Sequence, residues 1–204
     1  MGDIATRHSV DNTFALRIMF KKLAESVKQP LSFTRIANIV SSTGAKVGTQ
    51  TVINYIEYAK DAWLISSLQN IAGKLVDKEA NPKHYFTDNG ILNLFLLDGN
   101  TSLLENLVAI NLLRKYGRSD AVFFYNKGIE VDFYIPDEAT AIQVCYNLDN
   151  SDGTFDREVG ALLKLSSVLE CNKLIIITRD NEQTLEVDNK TIEVIPAWKW
   201  LLNL

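Results

Sequence analysis

The sequence predicts an α/β protein with a helical N-terminal part and a mixed-sheet C-terminal part. Apolar residues recur at helical spacing as far as residue 63. Two later segments, 129–135 and 141–148, alternate in the manner of half-buried strands, and Leu174–Thr178 reads as one buried strand. The 204 residues give room for one large domain or two small ones.

The first helix is expected over Asn12–Lys28, where Phe14, Leu16, Ile18, Leu23 and Val27 supply the apolar face. Gln29-Pro30 ends it, because the residue before proline avoids the α region. Ser32 is suited to cap a second helix over Phe33–Ser41, and Gly44 to close it in the left-handed conformation. A third helix is expected over Thr49–Trp63, with Val52, Ile56, Ala59 and Trp63 as its inward stripe. Two strands, Leu64–Ile71 and Lys83–Thr87, flank the polar loop Asp77–Pro82. Three helices with a tight turn and a following hairpin make a winged helix-turn-helix.

Thr87-Asp-Asn-Gly90 opens a short connecting helix through Leu97, and Asp98–Thr101 is the expected domain junction. The division is therefore residues 1–98 and 99–204. The second part reads as a helix over Ser102–Tyr116 stopped by Gly117, then strands 121–126, 129–135 and 141–148. Helix 154–170, strand 174–178, a strand near Ile192–Ile195 and a terminal helix at Ala197–Leu202 complete it. This order implies a mixed sheet.

Composition narrows the function. No apolar run approaches the roughly 20 residues that span a bilayer, so no membrane association is expected. No signal-peptide pattern is visible, and two cysteines make no disulfide framework, so a reducing cytoplasm is expected. Residues 1–70 hold eight Lys/Arg against five Asp/Glu, whereas residues 71–204 hold thirteen against twenty. The first part can approach a polyanion; the second repels one unless local patches intervene. On the third helix Gln50 and Asn54 face outward where they could read adenine, with Arg35, Lys46 and Lys60 available to phosphates. Glu57 and Asp61 share that face and oppose tight binding, so DNA contact and protein contact both stay open.

The candidate site lies in Gly128-Ile-Glu-Val-Asp-Phe-Tyr-Ile135 and Ala141-Ile-Gln-Val-Cys-Tyr146. Glu130 and Asp132 fall on one strand face, and Gln143 and Cys145 on one face of the next. With Glu105 upstream, this pattern resembles the core of the PD-(D/E)xK nuclease superfamily. The resemblance implies a restriction-endonuclease-like fold in which Glu105, Asp132 and Gln143 would hold Mg²⁺ if the site were active. Cys145 stands where that family has its lysine. A thiol carries no positive charge at neutral pH, so a degenerate, non-catalytic site is expected, with a Mg²⁺-dependent DNA or RNA nuclease as the alternative. Glu130 is a candidate replacement carboxylate. Arg157 and Glu158 are expected at a solvated helix end.

The whole chain resembles the C-terminal region of a family of bacterial and archaeal AAA+-type ATPases. Ser32-Phe-Thr-Arg-Ile-Ala-Asn38, Thr51-Val-Ile-Asn-Tyr-Ile-Glu-Tyr58 and Lys83-His-Tyr-Phe-Thr-Asp88 carry the resemblance. So do Glu105-Asn-Leu-Val-Ala109, Glu130-Val-Asp-Phe133 and Gln143-Val-Cys-Tyr146. It implies an N-terminal ATPase domain as partner in a full-length protein, which alone would bind ATP. No Gly-x-x-x-x-Gly-Lys-[Ser/Thr] occurs here, and Gly44-Ala-Lys-Val-Gly48 has the wrong spacing, so no cofactor is expected in this region. DNA through the winged helix and a second copy of the chain are further expected partners. His8, His84, Cys145 and Cys171 show no zinc spacing and no nucleophile–base arrangement.

Overall fold

Asn12 and Ser32 open two of the helices that build the N-terminal part. Asn12 Oδ1 accepts a hydrogen bond from the Ala15 N–H at 2.9 Å, and Ser32 Oγ from the Arg35 N–H at 3.2 Å. The computed structural model describes residues 2–74, 80–97, 99–117, 120–149 and 153–203. Four helices come first: α1 (Gly2–Arg7), α2 (Thr13–Glu25), α3 (Phe33–Ser42) and α4 (Thr49–Asp61). Gly44 follows α3 with φ +92°, the left-handed conformation expected of it. α1 was not expected; Ile4 anchors it, and His8 beyond its end stacks on Tyr58 at 3.9 Å.

α4 ends before Trp63, which sits at φ +55° and is 83% exposed. Trp63 thus leaves the inward stripe assigned to it, because the chain turns out of the helix there. Strands β1 (Ile65–Leu68) and β2 (Lys83–Phe86) pair antiparallel, with Ser67 opposite His84. The expected loop between them lies outside the described residues as far as residue 79, as does Asp98 of the expected junction. α5 (Asn89–Asn93) is shorter than expected, and α6 (Asn100–Tyr116) begins inside that junction, two residues before the expected Ser102. Gly117, at φ +63°, accepts the left-handed turn that stops α6.

The six-stranded sheet runs in the order β3 (Phe123–Asn126), β4 (Glu130–Ile135), β5 (Thr140–Val144), β6 (Lys173–Thr178), β8 (Lys190–Pro196), β7 (Gln183–Val187). β3–β4–β5 pair antiparallel, β5–β6 and β6–β8 parallel, and β7 antiparallel on β8. α7 (Thr154–Leu165) connects β5 to β6, and α8 (Ala197–Leu202) follows β8. α7 is shorter than the expected 154–170, and β7 was not expected at all. Asp188 and Asn189, both at positive φ, make the two-residue turn that joins β7 to β8.

Neighbouring residues of β5 point to opposite cores. Ala141 and Cys145 pack with Val159, Leu162 and Leu165 of α7. Ile142 and Val144 pack with Val108 and Leu112 of α6 and with Trp200 of α8. The latter core continues without a break into Phe20, Ile56 and Phe86, so the N-terminal helices and the sheet share apolar packing. Two further contacts join them. Gln69 to Ile71, following β1, pairs with Phe124 on the edge strand β3: the Phe124 N–H donates to Gln69 O at 3.1 Å, and the Ile71 N–H to Phe124 O at 2.9 Å. Asn106, buried on α6, accepts from the Phe86 N–H at 2.8 Å and donates to Phe86 O at 2.9 Å. Its amide stands in for a neighbouring strand beside β2. Among the described residues no helix is long and apolar enough to cross a membrane.

Replacing Asn106 with Leu strands the buried Phe86 N–H and C=O. A loss of about 2–6 kcal/mol is expected, from two unsatisfied groups at about 1–3 kcal/mol each, and urea unfolding measures it. A loss below about 0.5 kcal/mol would show that β2 needs no such partner.

Candidate functional site

β4 and β5 pair at Phe133–Ile142, Tyr134–Ala141 and Ile135–Thr140, and the backbone ladder stops there. Each strand continues with its other neighbour: Val131 and Glu130 with β3, Gln143 and Val144 with β6. The two strands therefore part at the level of Asp132 and Gln143, and side chains fill the gap. The Asp132 N–H donates to Gln143 Oε1 at 2.8 Å, Gln143 Nε2 donates to Glu130 O at 3.1 Å, and the Val144 N–H donates to Asp132 Oδ2 at 2.9 Å. These bonds replace the missing ladder and satisfy backbone groups that would otherwise be orphaned.

Lys83 enters this opening from β2. Its side chain is fully buried, and Nζ lies 2.9 Å from Glu130 Oε1, 3.2 Å from Asp132 Oδ1 and 3.4 Å from Glu105 Oε1. The Phe124 ring lies 5.6 Å from Nζ. Tyr85, two residues along β2 and so on the same strand face, donates its hydroxyl to Glu105 Oε1 at 2.8 Å. The Tyr85 ring packs against Phe133.

The electrostatics follow from one ammonium facing three carboxylates. Burial by itself would lower the Lys83 pKa; Glu105, with Tyr85, Asp132 and Glu130, outweighs it and holds the ammonium well above its usual range. Burial and then Asp132 push Glu105 up to about 8, against the lowering pull of Lys83 and Tyr85. The cluster thus shares a proton near neutrality, which reduces its excess negative charge. Burial also raises Glu158, with Asp132 and Glu130 adding to it and Arg157, 2.7 Å away, opposing it. His84, on the opposite face of β2, is held neutral: burial and then Lys60 lower it to about 3, and its Nδ1 lies 2.8 Å from Ser67 Oγ.

Glu105, Glu130, Asp132 and Gln143 come together around this opening and line a cavity of about 540 Å³, with Glu105 and Gln143 themselves buried. Cys145 does not join them. It packs with Val131, Ala141 and Leu162 on the α7 face, and its N–H continues the pairing with β6 by bonding Ile177 O at 3.0 Å. Glu158 corrects the reading of a solvated helix end: it is 6% exposed and lines the cavity, while Arg157 remains at the surface. Lys83, Tyr85 and Asn106 were quoted only as family matches. Their signal was a lysine and a tyrosine at alternate positions of a strand with no other charge.

The candidate nucleic-acid residues lie apart from this cluster. Arg35, Lys46, Gln50 and Asn54 are exposed, and Gln50 Nε2 donates to Asn54 Oδ1 at 3.1 Å. Lys60 pairs with Glu57 at 2.8 Å. The outward face of α4 therefore spends its polar groups on itself.

The donor set does not fit Mg²⁺. Both ends of the Gln143 amide bond backbone, one Asp132 oxygen accepts from Val144, and the other faces Lys83. Among the described residues no trio of His, Cys, Asp and Glu side chains is arranged to hold a metal ion.

The raised Glu105 pKa has a definite sign in stability. The folded protein keeps a proton that the unfolded chain, with an ordinary pKa of 4.5, releases. That contribution is full below about 4.5 and is lost as pH rises toward about 8. Thermal unfolding between pH 5 and 8 is expected to show a falling Tm for the wild type and a flatter profile for Glu105→Gln. Parallel profiles would contradict proton sharing at Glu105.

Comparison with known proteins places the chain among uncharacterised relatives. An uncharacterized protein of Methanocaldococcus jannaschii is 32% identical over 211 aligned residues, covering 98% of this chain and 47% of the relative. An uncharacterized protein of Haemophilus influenzae is 28% identical over 207, covering 99% and 49%. The chain thus spans about half the length of the curated relatives it matches. No solved structure gives a significant match. The profile of the family described as a domain of unknown function, DUF8612, matches residues 1–103, half of the chain that includes the hairpin bearing Lys83, and the chain belongs to that family.

Proposed function

We propose that this chain is a non-catalytic binding region that combines a winged helix, α2–α4 with β1–β2, and a restriction-endonuclease-like sheet domain. It serves as the accessory part of an AAA+-type ATPase. One observation carries the non-catalytic reading: the Lys83 ammonium stands between Glu105, Glu130 and Asp132. Metal-assisted hydrolysis needs a cation that bridges carboxylates and a phosphate oxygen. An ammonium has no open coordination position, and Lys83 is walled off from solvent.

The same residue supports a structural use of the hairpin. All four residues of β2 are buried. The self-bonded polar groups of α4, with Glu57 and Asp61 among them, suit contact with protein better than contact with a phosphate backbone. The relatives' greater length leaves room for the ATPase domain that this surface would meet.

Incubation with plasmid and single-stranded substrates, with Mg²⁺ or Mn²⁺, is expected to give no cleavage. Cleavage that disappears in Asp132→Ala would establish the Mg²⁺-dependent nuclease instead. Lys83→Met leaves the carboxylates facing one another without their cation. A loss of about 3–5 kcal/mol in urea unfolding is expected, the typical cost of breaking a buried ion pair from one side. A loss under about 1 kcal/mol would remove the internal counter-ion from the explanation.

A further inference from the structure

Two depressions lie close to the carboxylate cluster: one contains it, and the other is lined by Phe124, whose ring neighbours Lys83 Nζ. The cavity over the cluster is lined by Lys28, Gln29, Gly128, Arg157 and Lys164 beside the acids. A second, of about 480 Å³, is lined by Pro30, Asn70, Lys74, Asn126 and Lys127. Their linings are consecutive in the chain at Gln29-Pro30 and at Lys127-Gly128, so the two rims lie side by side, within reach of one extended ligand as a groove.

Lys28, Lys74, Lys127 and Lys164 on its rim are exposed, and among the described residues none of them makes an ion pair. They come from the stretch after α2, the stretch after β1, the β3–β4 turn and α7. Four separate pieces of chain therefore bring positive charge to one groove in a protein of net charge −4. The acids that line it are partly offset from within, and Glu130 and Asp156 remain the accessible carboxylates. Lys83 faces Glu105, Glu130 and Asp132 from beneath, and Arg157 pairs with Glu158. Outward, four lysines and Arg157 outnumber the accessible acids Glu130 and Asp156, and Gln29 and Asn81 add polar groups to the lining.

We propose that this groove, and not the α4 face, binds the phosphodiester backbone of a single nucleic-acid strand. Among the described residues its one lining aromatic, Phe124, is 1% exposed and cannot present a ring for base stacking. Recognition is therefore of charge and backbone, with little sequence preference and strong salt dependence. The inference concerns binding alone and stands whether or not an ATPase accompanies the region.

Fluorescence anisotropy with labelled single-stranded DNA, single-stranded RNA and duplex, in EDTA at three salt concentrations, tests it. A slope of log K against log salt near −3 is expected for the strands, from four phosphate contacts at about −0.7 each. Combined substitution Lys28→Ala, Lys74→Ala, Lys127→Ala, Lys164→Ala is expected to weaken strand binding more than ten-fold and to flatten the slope. Each single substitution should lower the slope by about 0.7. These side chains are exposed, and circular dichroism verifies that the variants fold. The rival surface is tested by Arg35→Ala, Lys46→Ala, Lys60→Ala together. A greater loss there, no binding at low salt, or tighter binding of duplex than of a strand of equal length would overturn the proposal.

Discussion

A fully buried ammonium holds this structure in its arrangement. Taking Lys83 out of water costs several kcal/mol, and the cost is offset only where carboxylates converge on Nζ with good geometry. The three acids come from different places: Glu105 from α6, Glu130 and Asp132 from β4. Lys83 itself comes from the hairpin that follows the N-terminal helices. The pairing can form only when the hairpin, α6 and the sheet are all in place. The interaction therefore adds specificity to packing that is otherwise apolar and non-directional. Asn106 and the Gln69–Ile71 pairing to β3 hold the same hairpin from its other sides.

The opening that receives Lys83 is a local property of the sheet. β4 and β5 would pair along their whole length if their side chains allowed it. Asp132 and Gln143 instead bond the partner strand's backbone directly, which lets the strands part without stranding polar groups. The Gln143 amide has one donor end and one acceptor end, and both are used. A carboxylate at residue 143 would accept from Asp132 N–H but could not donate to Glu130 O. The neutral side chain is thus the one that fits the parted strands, and it adds no further negative charge to a site with three carboxylates and one ammonium.

Much of the fold was legible in residue patterns, because local physics governs those parts. Ser32 caps α3, Gly44 and Gly117 take left-handed turns, and Val52, Ile56 and Ala59 mark the inward face of α4. On α2 Leu16 and Leu23 are buried as expected, but Phe14 is exposed and Met19 and Phe20 take the inward places. Period-two alternation put Glu130 and Asp132 on one face, and both reach Lys83. α1 is six residues held by Ile4 alone, too little for a periodic signal. β7 is mostly polar because it is an edge strand with exposed residues, so hydrophobic alternation could not reveal it. Glu158 looked solvated because its burial depends on where α7 lies over β4 and β5. Lys83 was hidden for the same reason: a lysine reads as exposed until the acids that compensate it, 22 to 49 residues away, are folded around it.

The charge state of Lys83 is the most direct measure of its role. Lysine labelled with ¹⁵N at Nζ, followed by NMR from neutral to alkaline pH, separates a buried ammonium from surface ones. The Lys83 resonance is expected to stay that of an ammonium through the pH range around 10.5 where exposed lysines release their protons. A Lys83 resonance that titrates with the surface lysines, or below them, would contradict a charged counter-ion held by Glu105, Glu130 and Asp132.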